Sequence, residues 1–145
     1  TSDIIVGFPG ERDEDFNSTR ALIERIEFDD LFIFHYNDRE GTRACSLQDK
    51  IPYSIKIRRL QELNAVQRDI SRKRNEQLVG KIIEVLFDGP SNRGNGSLAG
   101  RTRSNKVVNC PAPPELIGRN ALVKIRKANI HSLSGTLMEG HAAHD

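Results

Sequence analysis

The period of the apolar residues changes once along this chain of 145 residues, at Gly80. Upstream, Ile57, Leu60, Leu63, Val66 and Ile70 recur every three or four positions, the stripe of a helix docked on one face. Downstream, Ile83, Val85 and Phe87 alternate with Ile82, Glu84 and Leu86, which is the period of a strand with one buried side. One segment cannot satisfy both periods. The chain is therefore read as an α/β part followed by an all-β part.

The β part has frequent punctuation. Asp88-Gly89-Pro90-Ser91 reads as a turn, and 92–96 as a flexible connection rich in residues that tolerate positive φ. Further strands are expected at 97–103, 106–109, 120–127 and 133–138, with no helix between them. Short strands of this kind predict a small antiparallel barrel. In it Val123 and Ile125 face one way and Lys124 and Arg126 the other, while Arg101 and Arg103 share a face of their strand. A unit of about 60 residues lies near the lower limit for an independent core.

The front part has a different order. Ile4-Ile5-Val6 is β-branched throughout and suits a strand buried on both faces. Gly7-Phe8-Pro9-Gly10 breaks it, and a helix is expected from about Asp13 to Ile26, with Asp13, Glu14 and Asp15 in the turn where carboxylates favour the helix dipole. Leu31 to Tyr36 is a second strand, so strand, helix and strand make a βαβ pattern. A long helix from about Ser54 to Leu78 carries the apolar stripe and a basic, solvated side of Arg58, Arg59, Arg68, Arg72, Lys73 and Arg74. Two parallel strands cannot close a barrel. The missing strands are expected before residue 1 or from another chain.

Charge divides the chain in the same place. Residues 1–75 carry 13 basic and 14 acidic side chains, whereas residues 78–137 carry nine basic and three acidic, a net of +6. That excess suits a polyanionic partner. Arginine outnumbers lysine 15 to seven, and its rigid fork matches phosphates and base edges. Cys45 and Cys110 are 65 residues apart and form no metal-ligand cluster, which favours a reducing compartment. No stretch reaches the roughly 18 apolar residues of a membrane span, and no secretory leader is read. The expected location is cytoplasmic, with no membrane partner.

Three stretches together resemble a known family. The first is Ser2-Asp3-Ile4-Ile5-Val6-Gly7-Phe8-Pro9-Gly10-Glu11 with Glu14-Asp15-Phe16. The second is Phe32-Ile33-Phe34-His35-Tyr36 with Arg39-Glu40-Gly41-Thr42-Arg43-Ala44, leading to Ile51-Pro52 and the basic helix. The third is Gly100 to Asn109, with Leu116-Ile117-Gly118 and Ser132-Leu133-Ser134-Gly135 beyond it. In this order, from residue 1 to about 139, they resemble the C-terminal part of the radical-SAM methylthiotransferases, in the branch acting on N6-isopentenyladenosine of tRNA.

The resemblance implies the end of a partial (β/α) barrel over 1–76, a TRAM RNA-binding domain of OB-like barrel form over 77–139, and a tail over 140–145. It implies an enzyme adding a methylthio group to C2 of N6-isopentenyladenosine at tRNA position 37, using S-adenosylmethionine and two [4Fe–4S] clusters. The cluster cysteines of the family lie upstream, and Cys45 and Cys110 match none of them. This chain alone is therefore expected to be inactive, with no catalytic or metal-ligating residue of its own. Its expected partners are the tRNA anticodon stem-loop and the N-terminal portion of the same enzyme. Arg12 departs from the Thr that relatives usually place there. An arginine accepts no amide hydrogen bond, so Asp13 or the preceding loop is expected to cap the helix, with a shifted start.

Two candidate sites follow. Gly7, Phe8, Pro9, Gly10 and Glu11 follow a strand at the edge where parallel barrels bind ligands, and Arg39 follows the second strand at the same edge. They either contact S-adenosylmethionine, as the resemblance implies, or form tight βα turns. His35 and Tyr36 are candidate pocket walls. For RNA the candidates are Arg101, Arg103, Asn105, Lys106, Lys124 and Arg126, set against a solvated strand face for each singly. No exposed aromatics interleave with them, which favours a grip on shape and phosphates over single-strand stacking. The other functions weighed are a sister methylthiotransferase acting on threonylcarbamoyl-adenosine tRNA or on a ribosomal protein, and a stand-alone RNA-binding module.

Overall fold

The computed structural model describes residues 1–92 and 94–142, with side chains to 138. Arg93, in the connection expected to be flexible, and 143–145 of the expected tail lie outside the described residues. The chain divides into two compact units, Thr1–Ser71 and Arg72–Asp145.

In the first unit β1 (Ser2–Val6), α1 (Asp13–Ile26), β2 (Leu31–His35) and the first turns of α2 (Tyr53–Glu76) follow one another. The two strands pair in parallel, Ser2 opposite Leu31 through Val6 opposite His35. Ile4, Val6, Leu31 and Ile33 point to the side where Phe16 and Ile23 of α1 and Leu63 and Ile70 of α2 complete the core. The opposite face is bare. Ile5, Phe32 and Phe34 are 57%, 56% and 54% exposed, where strands buried on both sides were expected. Nothing among the described residues covers them, because both helices pack on the same side.

Two further expectations change here. Arg59, read as part of the solvated basic side, is 3% exposed and turns inward to Glu11 and Asp13. The helix starts at Asp13 with Arg12 at its N-cap, and the carboxylate of Asp15 accepts the Arg12 amide at 2.9 Å. Asp13 is not the cap; it pairs with Arg59.

The second unit is a closed barrel of β3 (Ile82–Pro90), β4 (Ser97–Arg101), β5 (Val107–Pro111), β6 (Asn120–Ala128) and β7 (Leu133–Ala142), in the order β3-β4-β5-β7-β6. Val85, Phe87, Leu98, Val108, Val123, Ile125 and Leu133 fill it from alternate positions. Gly100 and Gly135 permit the close strand approach. A Cβ on either would lie 2.5 Å from a carbonyl oxygen of the neighbouring strand, Leu86 O and Lys124 O respectively.

The barrel departs from the sequence reading in three places. It is not wholly antiparallel, since β5 and β7 pair in parallel at Val108–Leu133 and Asn109–Ser134. Asp88 to Pro90 is no turn; β3 continues through it by a bulge between Phe87 and Gly89. The fourth barrel strand in space, β7, runs to Ala142, into the segment read as a tail.

The unit boundary falls inside α2, before the junction at 76–77 read from the sequence. The last helical residues belong with the barrel because Asn75, 4% exposed, ties them to it. Its amide donates to the carbonyls of Asn129 at 2.8 Å and Ile130 at 3.0 Å. Its oxygen accepts from the Lys106 ammonium at 2.8 Å.

Candidate functional site

At the carboxyl ends of β1 and β2 an open pocket of about 520 Å³ is lined by Ile5, Phe8, Phe34, His35, Tyr36, Asn37, Arg39, Thr42 and Ala44. The turn after β1 shapes one wall. Gly7 and Gly10 have φ of 71° and 85°, conformations that glycine adopts without strain. The Gly7 amide donates to the Glu11 carboxylate at 2.9 Å, and Arg59 donates to the same oxygen at 2.7 Å. Glu11 thus closes the turn from within, while Phe8 projects and meets the Tyr36 ring edge-on at 5.2 Å.

The loop after β2 forms the other wall. The Tyr36 hydroxyl donates to Asp38 at 2.9 Å, and Lys50 donates to Asp38 and to the carbonyls of Ala44 at 3.1 Å and Cys45 at 3.0 Å. Lys50 and Lys56 each lie 5.4 Å from the Tyr36 ring centre. Lys50 and the Tyr36 hydroxyl hold the Asp38 carboxyl below its ordinary range, while burial and then Asp38 push the Tyr36 phenol up. Thr42 donates through its hydroxyl to Arg39 O at 2.7 Å, and Arg39 is exposed at the rim. Of the cofactor candidates, Phe8 and Arg39 line the pocket. Gly7, Pro9, Gly10 and Glu11 build the turn that carries Phe8.

The RNA candidates fall into two groups on the barrel. Arg101 ends β4, and Arg103 lies beyond it in a turn, so the two do not share a strand face. That turn is set by Thr102, whose hydroxyl accepts the Lys106 amide at 3.1 Å, and by Asn105 at φ 62°. Arg101 donates to the carbonyl and side-chain oxygens of Asn105, both at 3.3 Å, and lies 3.8 Å from Asp88. Arg103 donates to Glu84 at 3.1 Å. Lys106 belongs to the same turn but directs its ammonium to Asn75.

The second group is on β6. Val123 and Ile125 are fully buried, and Lys124 and Arg126 take the outer side as the alternation predicted. Arg126 donates to Thr136 at 3.2 Å. Neither is paired with a carboxylate among the described residues. In the ladder Arg101 lies opposite Leu86 and Lys124 opposite Ile82, so these two are offset by about 13 Å along β3 and flank it on opposite sides. Ile82 and Leu86 are exposed between them.

Sequence reading missed the partners that anchor these cations. Asn75 gives no periodic signal, because it sits where a helix pattern ends. Glu84 was legible, since it alternates outward with Ile82 and Leu86. Exposed Lys81, Arg119 and Lys127 add to the positive surface and were not singled out.

Cys45 and Cys110 are both free. Cys110 is buried in the barrel core, and burial pushes its thiol up. Among the described residues no cluster of His, Cys, Asp and Glu is arranged to hold a metal, and no helix is long and apolar enough to cross a membrane.

The second unit is a small closed barrel with basic side chains on its outer side, and residues 76–138 match the family model of the TRAM domain. The likeness extends through both units. The chain is 48% identical over 139 residues to the tRNA-2-methylthio-N(6)-dimethylallyladenosine synthase of Bacillus cytotoxicus, covering 96% of this chain. It is 44% identical over 138 residues to the enzyme of that name from Syntrophobacter fumaroxidans, covering 95% of this chain. For the one from Halalkalibacterium halodurans the identity is 44% over 139 residues. The chain spans only 26–30% of the length of these relatives.

Proposed function

We propose that this chain is the C-terminal part of a tRNA methylthiotransferase that adds a methylthio group to C2 of N6-isopentenyladenosine at position 37. The observation that carries this reading is the likeness of 44–48% over both units to synthases named for that nucleoside. The division of labour is as follows. Residues up to about 76 form the last strands and helices of a partial (β/α) barrel, and the bare face of Ile5, Phe32 and Phe34 is completed by the N-terminal portion of the same protein. The barrel from about 77 to 139 holds the anticodon stem-loop through Lys124, Arg126, Arg101 and Arg103.

The pocket at the strand ends suits S-adenosylmethionine. Phe8 and Tyr36 offer aromatic wall to its adenine or sulfonium, and Arg39 at the rim offers a fork to its carboxylate. Glu11 acts behind the wall by fixing Gly7 and Arg59. S-adenosylmethionine, when bound, supplies the hydrogen-abstracting chemistry, and the protein's part is to bind, orient and exclude water. The residues of this chain do not fit a [4Fe–4S] cluster, since two separated cysteines offer too few ligands. Both clusters would be held by chain outside it, so the fragment alone would be inactive.

The test is nucleoside mass spectrometry on tRNA from cells lacking their own methylthiotransferase and supplied with the complete protein. The expected product is 2-methylthio-N6-isopentenyladenosine. Methylthiolation of threonylcarbamoyl-adenosine or of a ribosomal protein instead would assign the sister activities, and none at all would leave an RNA-binding module.

A further inference from the structure

At one end of the barrel, the first residues of β3 have a strand on one side only. β4 pairs with it only from Leu86 onward, whereas β6 accompanies it from Ile82. Backbone groups in an antiparallel ladder alternate sides. Lys81 O accepts from Ile125, and Phe87 donates to Arg119 O, so the odd-numbered residues of β3 face β6. The peptide N–H and C=O of Glu84 therefore face the open side. There lies a slot of about 280 Å³, lined by Leu78, Ile83, Glu84, Thr102, Arg103 and Ser104. That is just below the range of drug-sized pockets. It has room for one flat ring system.

The chemistry of the slot is specific. Leu78 and Ile83 are an apolar floor packed on the barrel core. An adjacent donor and acceptor on Glu84 match the paired acceptor and donor on a nucleobase edge. Arg103 stands over the entrance at 89% exposure, held by its Nε to Glu84 at 3.1 Å, so its planar face is open to stack on a ring. Arg101 ends the strand that leads into the turn of Thr102, Arg103 and Ser104.

We infer that this slot takes one unpaired nucleobase of the bound RNA, read by the Glu84 backbone and covered by Arg103. The inference rests on the barrel's being the RNA grip, and it adds base contact to a surface otherwise suited to phosphates.

The experiment compares two RNAs on the complete protein by fluorescence anisotropy. One is a stem-loop with ordinary loop bases, and the other is the same stem-loop with abasic loop riboses. Arg103→Lys keeps the charge and loses the planar face. It is expected to weaken the base-bearing RNA about tenfold, leave the abasic RNA unchanged, and leave the salt slope unchanged. Glu84→Ala should also weaken the base-bearing RNA, by several-fold. A phosphate-only grip gives the opposite sign, because removing a carboxylate near RNA tightens it. Unchanged binding in R103K, equal loss on both RNAs, or tighter binding in E84A would overturn the slot. Failure of the wild-type protein to bind either RNA in a salt-sensitive way would instead overturn the RNA-grip reading itself.

Discussion

The two units use apolar residues in opposite ways. In the barrel, alternate residues of all five strands meet inside one closed wall, and Val85, Phe87, Val108, Val123, Ile125 and Leu133 are wholly buried. In the first unit the sheet has two strands and one covered face, and three large apolar residues stand exposed on the other. Closure pairs most of the strand edges and gathers these side chains inside one wall, although Ile82 and Leu86 stay exposed outside it. A segment of a parallel sheet can do neither without more strands. The barrel thus closes on itself, whereas the first unit leaves one face of its sheet bare.

Phe87→Ala and Phe32→Ala place that contrast under the strongest strain. Phe87 lies at 0% exposure, so its truncation should destabilise the barrel by about 3–5 kcal/mol. Phe32→Ala, in this chain alone, should cost no more than about 0.5 kcal/mol. Chemical denaturation followed by circular dichroism measures both. In the complete protein the Phe32 cost should rise to that of a core residue, and equal small costs in both settings would break the comparison.

Arg59→Met tests the buried charge of the first unit. It leaves the Glu11 carboxylate, 12% exposed, without its cation and loosens the Gly7 turn. A loss of about 3 kcal/mol is expected in the same denaturation assay. Gly100→Ala tests the barrel wall instead. Its new methyl would meet Leu86 O at 2.5 Å, for an expected cost of about 1–3 kcal/mol, with the first unit unaffected.

The smallest effect expected is that of acid. The Asp13 carboxyl is held low by its hydrogen bond and charge pairing with Arg59, and Asp38 by Lys50. A depressed carboxylate stabilises the fold fully above its unfolded value, near pH 4, and the contribution fades as pH falls through the folded value. Thermal melts of the first unit between pH 5 and pH 2 should therefore decline, and the decline should be shallower in R59M. An identical profile in that variant would remove Arg59 as the cause.

Much of this was legible from residue order, and the failures have physical reasons. Period alone located α1, α2 and the barrel strands, because burial repeats at 3.6 or at two regardless of what covers it. It could not say what covers it, and hence the bare face of Ile5, Phe32 and Phe34 was read as buried. Arg59 was read as solvated because a charge at an inward position looks like any other charge until Glu11 is folded onto it. The parallel β5–β7 pair joins segments that no local pattern relates. The pocket residues Phe8, Tyr36 and Arg39 were found by position at strand ends. Lys106, by contrast, was read as a phosphate contact, and only the packing of Asn75 shows where its ammonium is directed.

The central claim is that the outer barrel face grips RNA electrostatically. It is tested most directly by titrating the complete protein, wild type and R101A/K124A/R126A, with an anticodon stem-loop at two salt concentrations. Wild type is expected to bind tightly and to weaken with salt, and the triple variant to bind at least tenfold more weakly with a reduced salt slope. Equal affinity and equal salt slope in the two proteins would contradict it.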